Sequence, residues 1–218
     1  MNEILFDLKN AVNSIPDFYY TMPTVSILND NLDIDNEEIK YYERRFVAQL
    51  KSEYDKLIKE GSTGNYEEVN TDFEVIKRYI YTDNPDKSIE ATYKKLSNKN
   101  DNKTFQTITT IPDFFIHKQQ DNREEAFQKL AVEAKTTDQL NEDDFFLDLF
   151  KLNVYVEKYN FQNGVYLIAN NNSNTVKQLA KSYLRQRFYL APNNKDRIYL
   201  FIKPNYNSDI ETFKLIDL

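Results

Sequence analysis

Two short apolar runs near the end of the chain, Gly164-Val165-Tyr166-Leu167-Ile168-Ala169 and Arg197-Ile198-Tyr199-Leu200-Phe201-Ile202, constrain the fold more than any other feature. Neither alternates apolar with polar residues, so each reads as a strand covered on both faces. What separates and precedes them has helical period. Thr175–Arg187 places Val176, Leu179, Ala180, Tyr183 and Leu184 on one side, and Asp143–Asn160 does the same with Phe146, Leu149, Phe150, Asn153 and Val156 on adjoining faces, Gly164 following as a stop. Strands buried on both faces need helices to bury them, which makes the class α/β, a central mixed β-sheet flanked by helices.

The upstream chain extends this order. Glu37–Glu60 carries Ile39, Tyr42, Phe46, Leu50, Tyr54, Leu57 and Ile58 at helical spacing, with Asp35 or Asn36 as N-cap and Gly61 as the stop. Phe105–Ile111, Asp113–His117 and Lys129–Lys135 read as successive strands, the last two joined by the polar loop Lys118–Gln128. Residues 61–104 are mixed in period and stay unassigned. Residues 1–36 hold a short helical pattern, Ile4, Leu5, Leu8 and Val12, then a loop punctuated by Pro16 and Pro23. With no long linker and no internal repeat, 1–218 reads as a single domain, 1–36 an N-terminal helical extension and 37–202 the core.

Composition narrows the chemistry. The chain has no Cys, so disulfides, Cys-ligated zinc and thiol nucleophiles are absent, and its one His excludes multi-His metal sites. Metal chemistry, if present, is that of a hard cation on oxygen ligands. The start Met1-Asn2-Glu3-Ile4-Leu5-Phe6-Asp7 lacks a secretory pattern and no stretch of about 18 apolar residues occurs, so the expectation is a cytoplasmic protein without a membrane span. Net charge is −7, yet residues 171–218 carry eight Lys/Arg against four Asp/Glu, leaving this tail at +4 and the rest at −11. A local basic surface is compatible with that balance.

One cluster carries chemistry. Ile111-Pro112-Asp113 heads one strand, and Leu130-Ala131-Val132-Glu133-Ala134-Lys135 ends the next. Side chains alternate along a strand, so Glu133 and Lys135 share a face, and a paired hairpin brings Asp113 beside them. Two carboxylates and an ammonium in one patch can hold Mg²⁺ and orient a water. On Pro112, Asp113, Glu133 and Lys135, and on the element order over 37–202, the chain resembles the PD-(D/E)XK nuclease superfamily. The resemblance implies a restriction-endonuclease-like core of order αβββαβ and hydrolysis of phosphodiester bonds with Mg²⁺ or Mn²⁺. It implies Asp113, Glu133 and the backbone of Ala134 as metal ligands, Lys135 as the cation that positions the attacking water, and an upstream helical Glu. For that last residue the sequence offers Glu43, with Glu53 as second choice.

The motif recurs in this chain by chance. Ile15-Pro16-Asp17 stands 21 positions before Glu38-Ile39-Lys40, against 20 from Asp113 to Glu133, and Pro85-Asp86 with Asp101-Asn102-Lys103 is a third partial match. The first is set aside because Glu38 reads as an acidic helix start, the third because it falls in polar loop. Lys151 faces either a phosphodiester or solvent; Lys177, Lys181 and Arg185, at i, i+4, i+8, either track a nucleic-acid backbone or form a solvated helix face. His117 reads as a strand-end side chain in solvent, and the Phe and Tyr content as core. The functional expectation is a metal-dependent nuclease acting on nucleic acid, DNA ahead of RNA, in phage-defence or mobile-element biology, a homodimer where both strands are cut. The alternative is a binding or assembly module that keeps this fold without turnover.

Overall fold

The computed structural model describes residues 3–28, 31–40, 43–61, 69–73, 77–80, 87–97, 107–119, 122 and 124–218, and describes side chains outside 22–40, 77–80 and 107–109. In chain order the elements are α1 (Glu3–Asn13), β1 (Met22–Leu28), β2 (Asn31–Lys40), α2 (Glu43–Lys59), β3 (Asn70–Asp72), β4 (Lys77–Ile80), α3 (Lys87–Leu96), β5 (Thr107–Thr110), β6 (Phe114–His117), β7 (Gln128–Thr136), α4 (Glu142–Lys158), β8 (Asn163–Ala169), α5 (Ser173–Arg185), β9 (Ile198–Lys203) and β10 (Glu211–Lys214). The class is α/β. A six-stranded mixed sheet runs β10-β9-β8-β7-β6-β3, parallel through β7, β8 and β9 and antiparallel at β3–β6, β6–β7 and β9–β10.

The sheet has an apolar cluster on each face. On one, Phe46, Leu50 and Tyr54 of α2 and Leu5, Leu8 and Val12 of α1 pack on Val132, Ala134, Val165 and Leu167. On the other, α3, α4 and α5 pack on Phe115, Ala131, Tyr166, Ile168 and Leu200. The period-2 alternation of β7 thus sends Val132 and Ala134 toward α1 and α2, and Glu133 and Lys135 toward α4. Among the described residues no helix is long and apolar enough to cross a membrane.

Several elements differ from the sequence reading. The helix expected from Glu37 begins at Glu43, because residues 31–40 pair antiparallel with β1, Ile39 against Pro23 and Lys40 against Met22. Cross-strand pairing there overrides a local helical period, and the loop expected around Pro23 is strand, with a register irregularity beside the proline that accommodates its missing N–H. At the other end of α2, Gly61 does act as the stop, in the left-handed region at φ 65°.

The strand expected over Phe105–Ile111 is β5, and it pairs with β4 in a separate two-stranded sheet; the strand that flanks β6 is β3, from the unassigned stretch. Helix α4 ends at Lys158 with Tyr159 as its C-cap, the φ of 59° at Asn160 supplying the left-handed turn, and Gly164 is not its stop. Gly164 instead lies within β8, where an added Cβ would stand 3.3 Å from Val156 and 3.4 Å from Leu152, so its missing side chain lets α4 sit close on the sheet. The strand β10, beyond the expected core, was not foreseen.

Candidate active site

Pro112 cannot donate to a ladder, so the β6–β7 pairing stops at Phe114 opposite Val132. Beyond that point β7 continues with the Ala134 N–H facing an edge that β6 no longer covers. Asp113 fills the gap, its Oδ2 accepting that N–H at 2.7 Å. The N–H and C=O of one strand residue leave on the same edge, so the Ala134 carbonyl is carried to the Asp113 side as well.

On the α4 face a chain of charged groups follows. Glu133, 1% exposed, accepts from the Tyr155 hydroxyl at 3.0 Å on Oε1 and from Lys151 at 3.3 Å on Oε2. Lys151 also donates to Asp148 Oδ1 at 2.6 Å, and Asp148 Oδ2 accepts from the Tyr166 hydroxyl at 3.0 Å. The Lys135 ammonium lies 3.4 Å from Asp148 and donates to Glu43 Oε2 at 3.0 Å. The first residue of α2, the end of β7 and the middle of α4 therefore meet in one network. Of the two upstream acids, Glu43 is the one beside Lys135; Glu53 is bonded to Gln49 and Lys56, further along α2.

Four carboxylates here face two ammonium groups, and their proton affinities follow. Burial raises the Asp113 carboxyl to about 7, partly opposed by the Ala134 N–H and reinforced by Glu43 and Asp148. Burial also holds Glu133 well above the usual carboxylate range, with Lys151 opposing and Asp148 and Asp113 adding to the rise. Glu43 is raised by burial too, with Lys135 opposing. For both lysines burial favours the neutral amine and is outweighed, by Asp148 and Glu43 at Lys135 and by Glu133 and Asp148 at Lys151, so both ammonium groups are held more firmly than usual. Tyr155 and Tyr166 are raised by burial and by the carboxylates they touch, which keeps both hydroxyls as donors.

A cleft of about 100 Å³ lined by Glu43, Arg44, Val47, Phe73 and Asp113 opens beside this network. Among the described residues no three carboxylate or histidine groups stand together as a metal-binding set. Asp113, Glu133 and the Ala134 carbonyl are oxygen ligands of the kind a hard cation takes, both Glu133 oxygens being engaged by Tyr155 and Lys151 on the α4 side. With all four acids ionised the network is two charges negative, which a divalent cation would balance, so by donor chemistry and charge the residues suit Mg²⁺ or Mn²⁺.

The other expected residues lie differently. Lys151 does not lie on a solvated helix face: its half-buried ammonium is paired with the buried carboxylates of Asp148 and Glu133. Lys181 and Arg185 are exposed on α5, and Lys177 sits 3.7 Å over the Phe213 ring. His117 is buried instead of solvated: it stacks on Phe115 and bonds through Nε2 to Asp72 Oδ2 at 2.9 Å, a partner supplied by β3. The first motif match is set aside in the sequence on the ground that Glu38 begins a helix, yet Glu38-Ile39-Lys40 lies on β2; what separates it from Glu133 is that β2 belongs to a two-stranded sheet outside the central one. The third match falls outside the described residues.

Asp148, Tyr155 and Tyr166 were missed. The signal for the first was present: Asp148 and Lys151 are charged residues at i, i+3 inside Phe145–Val156, a run apolar on every side, and such a pair has no solvated face to occupy. Comparison with protein-family models, with curated proteins and with solved structures finds no match.

Proposed function

We propose that the chain is a metal-dependent nuclease of the PD-(D/E)XK kind, hydrolysing phosphodiester bonds, with DNA ahead of RNA as substrate. The observation that carries the reading is the junction of Asp113, Glu133, Lys135 and Glu43 at the point where β7 outruns β6. The order α2-β3-β6-β7-α4-β8 supports a restriction-endonuclease-like core, with β4, α3 and β5 inserted between its first two strands.

In this reading Asp113, Glu133 and the Ala134 carbonyl would hold Mg²⁺ or Mn²⁺. When bound, such a cation lowers the pKa of a ligated water and neutralises charge developing on the phosphate. Lys135 orients the attacking water and offers a proton-rich group to the phosphate oxygens. Glu43 and Asp148 fix the direction of that ammonium. Tyr155 and Lys151 hold Glu133 in one rotamer, so its oxygens are presented in a set direction instead of searching for it.

The test is cleavage of plasmid and oligonucleotides with Mg²⁺ and Mn²⁺, comparing the wild type with Lys135→Ala and Glu133→Ala purified identically. Loss of cleavage in both variants, at unchanged folding, is the expected result; equal activity in all three refutes the assignment. The charge of −11 outside residues 171–218 favours a second reading, a binding module without turnover. Calorimetric titration with Mn²⁺ separates the two, because the module has no need of a cation and the nuclease does.

A further inference from the structure

Two clefts open along the same side of α2. The smaller, beside the carboxylates, is lined by Arg44 and Val47. The larger, of about 360 Å³, is lined by Lys51, Asp55, Ile58 and Lys59. These positions recur at i, i+3, i+7, i+11, i+14 and i+15 from Arg44, which is one helix face. The opposite wall of both is the β3 segment, Phe73 in the smaller and Asn70, Thr71 and Asp72 in the larger, and β3 is an edge strand of the central sheet. The two clefts follow one another along the seam between α2 and the sheet edge, over roughly 22 Å from Arg44 to Lys59 at the helical rise, with Asp113 in the smaller one and the Thr71–Asp55 hydrogen bond joining the two walls in the larger.

Its lining is mixed in a particular way. Arg44, Lys51 and Lys59 place cations along the seam, Lys51 already paired with Asp55; its four acids all have protein partners, Asp55 in Lys51 and Thr71, Asp72 in His117, Glu43 in Lys135 and Asp113 in the Ala134 N–H. Phe73 stands at the mouth with 45% of its surface exposed, and Ile111, two residues before Asp113, is 42% exposed. Among the described residues Phe6, Phe18 and Phe73 are the exposed phenylalanines, and Phe73 is the one that lines the cleft with Glu43 and Asp113.

We infer that the substrate enters as a single strand, laid along the seam between α2 and β3 with an unpaired base stacked on Phe73 and its phosphates beside Arg44, Lys51 and Lys59. Backbone cations combined with an aromatic platform are how proteins hold unpaired strands without reading sequence. In a duplex the base faces are stacked on one another and closed to such a ring. Among the described residues the exposed apolar surface at the mouth is that of Phe73 and Ile111, less than a stable protein partner needs. The inference rests on the nuclease reading for the bond that is cut, but the binding it describes does not need turnover.

The experiment is fluorescence anisotropy of labelled short oligonucleotides, single-stranded and as blunt duplexes, with the full chain in metal-free buffer at low salt. Single strands bind at least tenfold more tightly than duplexes of the same sequence, Phe73→Ala weakens single-strand binding by about tenfold and leaves duplex binding unchanged, and Phe73→Trp restores it. Lys59→Ala lowers the salt dependence of binding. Duplex binding equal to or tighter than single-strand binding, unchanged affinity in Phe73→Ala, or no binding of either form overturns the inference. Should Phe73→Ala unfold, Phe73→Leu against Phe73→Trp makes the same comparison. Single-strand preference in a wild type that cleaves nothing with Mg²⁺ or Mn²⁺ would defeat the nuclease reading and leave this one standing.

Discussion

Lys151→Met separates a structural ammonium from a surface one. Methionine keeps most of the length and fills the same space, but it removes the 2.6 Å bond to Asp148 and the 3.3 Å bond to Glu133. Those carboxylates are 3% and 1% exposed, so water cannot replace the lost partner. Breaking a buried pair from one side costs about 3–5 kcal/mol, and the partial exposure of Lys151, 23% of its side chain, places the loss near the lower end. A loss of about 3 kcal/mol corresponds to a Tm decrease of roughly 6–12 °C for a domain of this size. The loss also depends on pH. Glu133 already has a folded-state pKa above its unfolded value, so the folded protein binds the extra proton and stability falls as pH rises through that range. Without Lys151 the range extends upward, and the deficit is larger at pH 8 than at pH 5. Urea unfolding at both values, with unchanged slope, measures it. Lys181→Met, on the exposed side of α5, is the control and stays within about 0.5 kcal/mol. A Lys151→Met variant that matches the wild type at pH 8 would refute the account, since the ammonium would then compensate nothing.

Other substitutions test separate parts of the account. Asp113 has a carboxyl pKa raised from the usual range to about 7, so its contribution to stability is present below the unfolded pKa and lost as pH rises toward 7; Asp113→Asn therefore flattens the Tm profile above pH 4 and raises Tm at pH 8, and a profile parallel to the wild type contradicts this. Gly164→Ala forces a methyl group against Leu152 and Val156 and destabilises by about 1–3 kcal/mol in urea unfolding. Asn153, fully buried, bonds Ala191 N, Asn194 and the Tyr189 carbonyl and so ties α4 to the segment before β9; Asn153→Ala leaves those groups unpaired, costs about 2–4 kcal/mol, and speeds amide exchange at Ala191.

The parts of the fold that could be read from sequence are those where local pattern and tertiary role agree. Strands β8 and β9 are apolar on both faces because both faces are covered, and β7 shows a strict alternation that puts Val132 and Ala134 on one face and Glu133 and Lys135 on the other. Helix α5 announced itself by a single apolar stripe, though its start at Ser173, capped by the Asn172 side chain, was not read from the sequence. Where pattern and role part company, sequence misleads. Residues 37–40 carry a helical period and are captured by β1; β3 is three residues long and has no pattern of its own, being strand only because β6 offers an edge. The position of His117 followed from that omission, for without β3 it has no Asp72 to bond and no cover.

The candidate site was half legible for the same kind of reason. Asp113, Glu133 and Lys135 were found because strand alternation is a strict rule, and it places Glu133 and Lys135 together whatever surrounds them. Lys151 was misjudged because a helix offers a charged residue a solvated face by default, and only packing on all sides of α4 removes that option. Once it is removed, the consequences are forced. Glu133 is too deeply buried to remain ionised alone, and Asp148 would add a second charge beside it. Lys151 supplies a cation between them from the same helix, opposing but not cancelling the rise that burial gives Glu133. That leaves Lys135 shared between Asp148 and Glu43 at the open end of the network, next to the cleft. Two lysines therefore divide two tasks, one neutralising the interior and one available to a ligand. The division predicts that Lys135→Met and Lys151→Met differ in kind: the first abolishes cleavage with a small change in Tm, the second lowers Tm strongly, and equal thermal losses in both would show that the network has no such division.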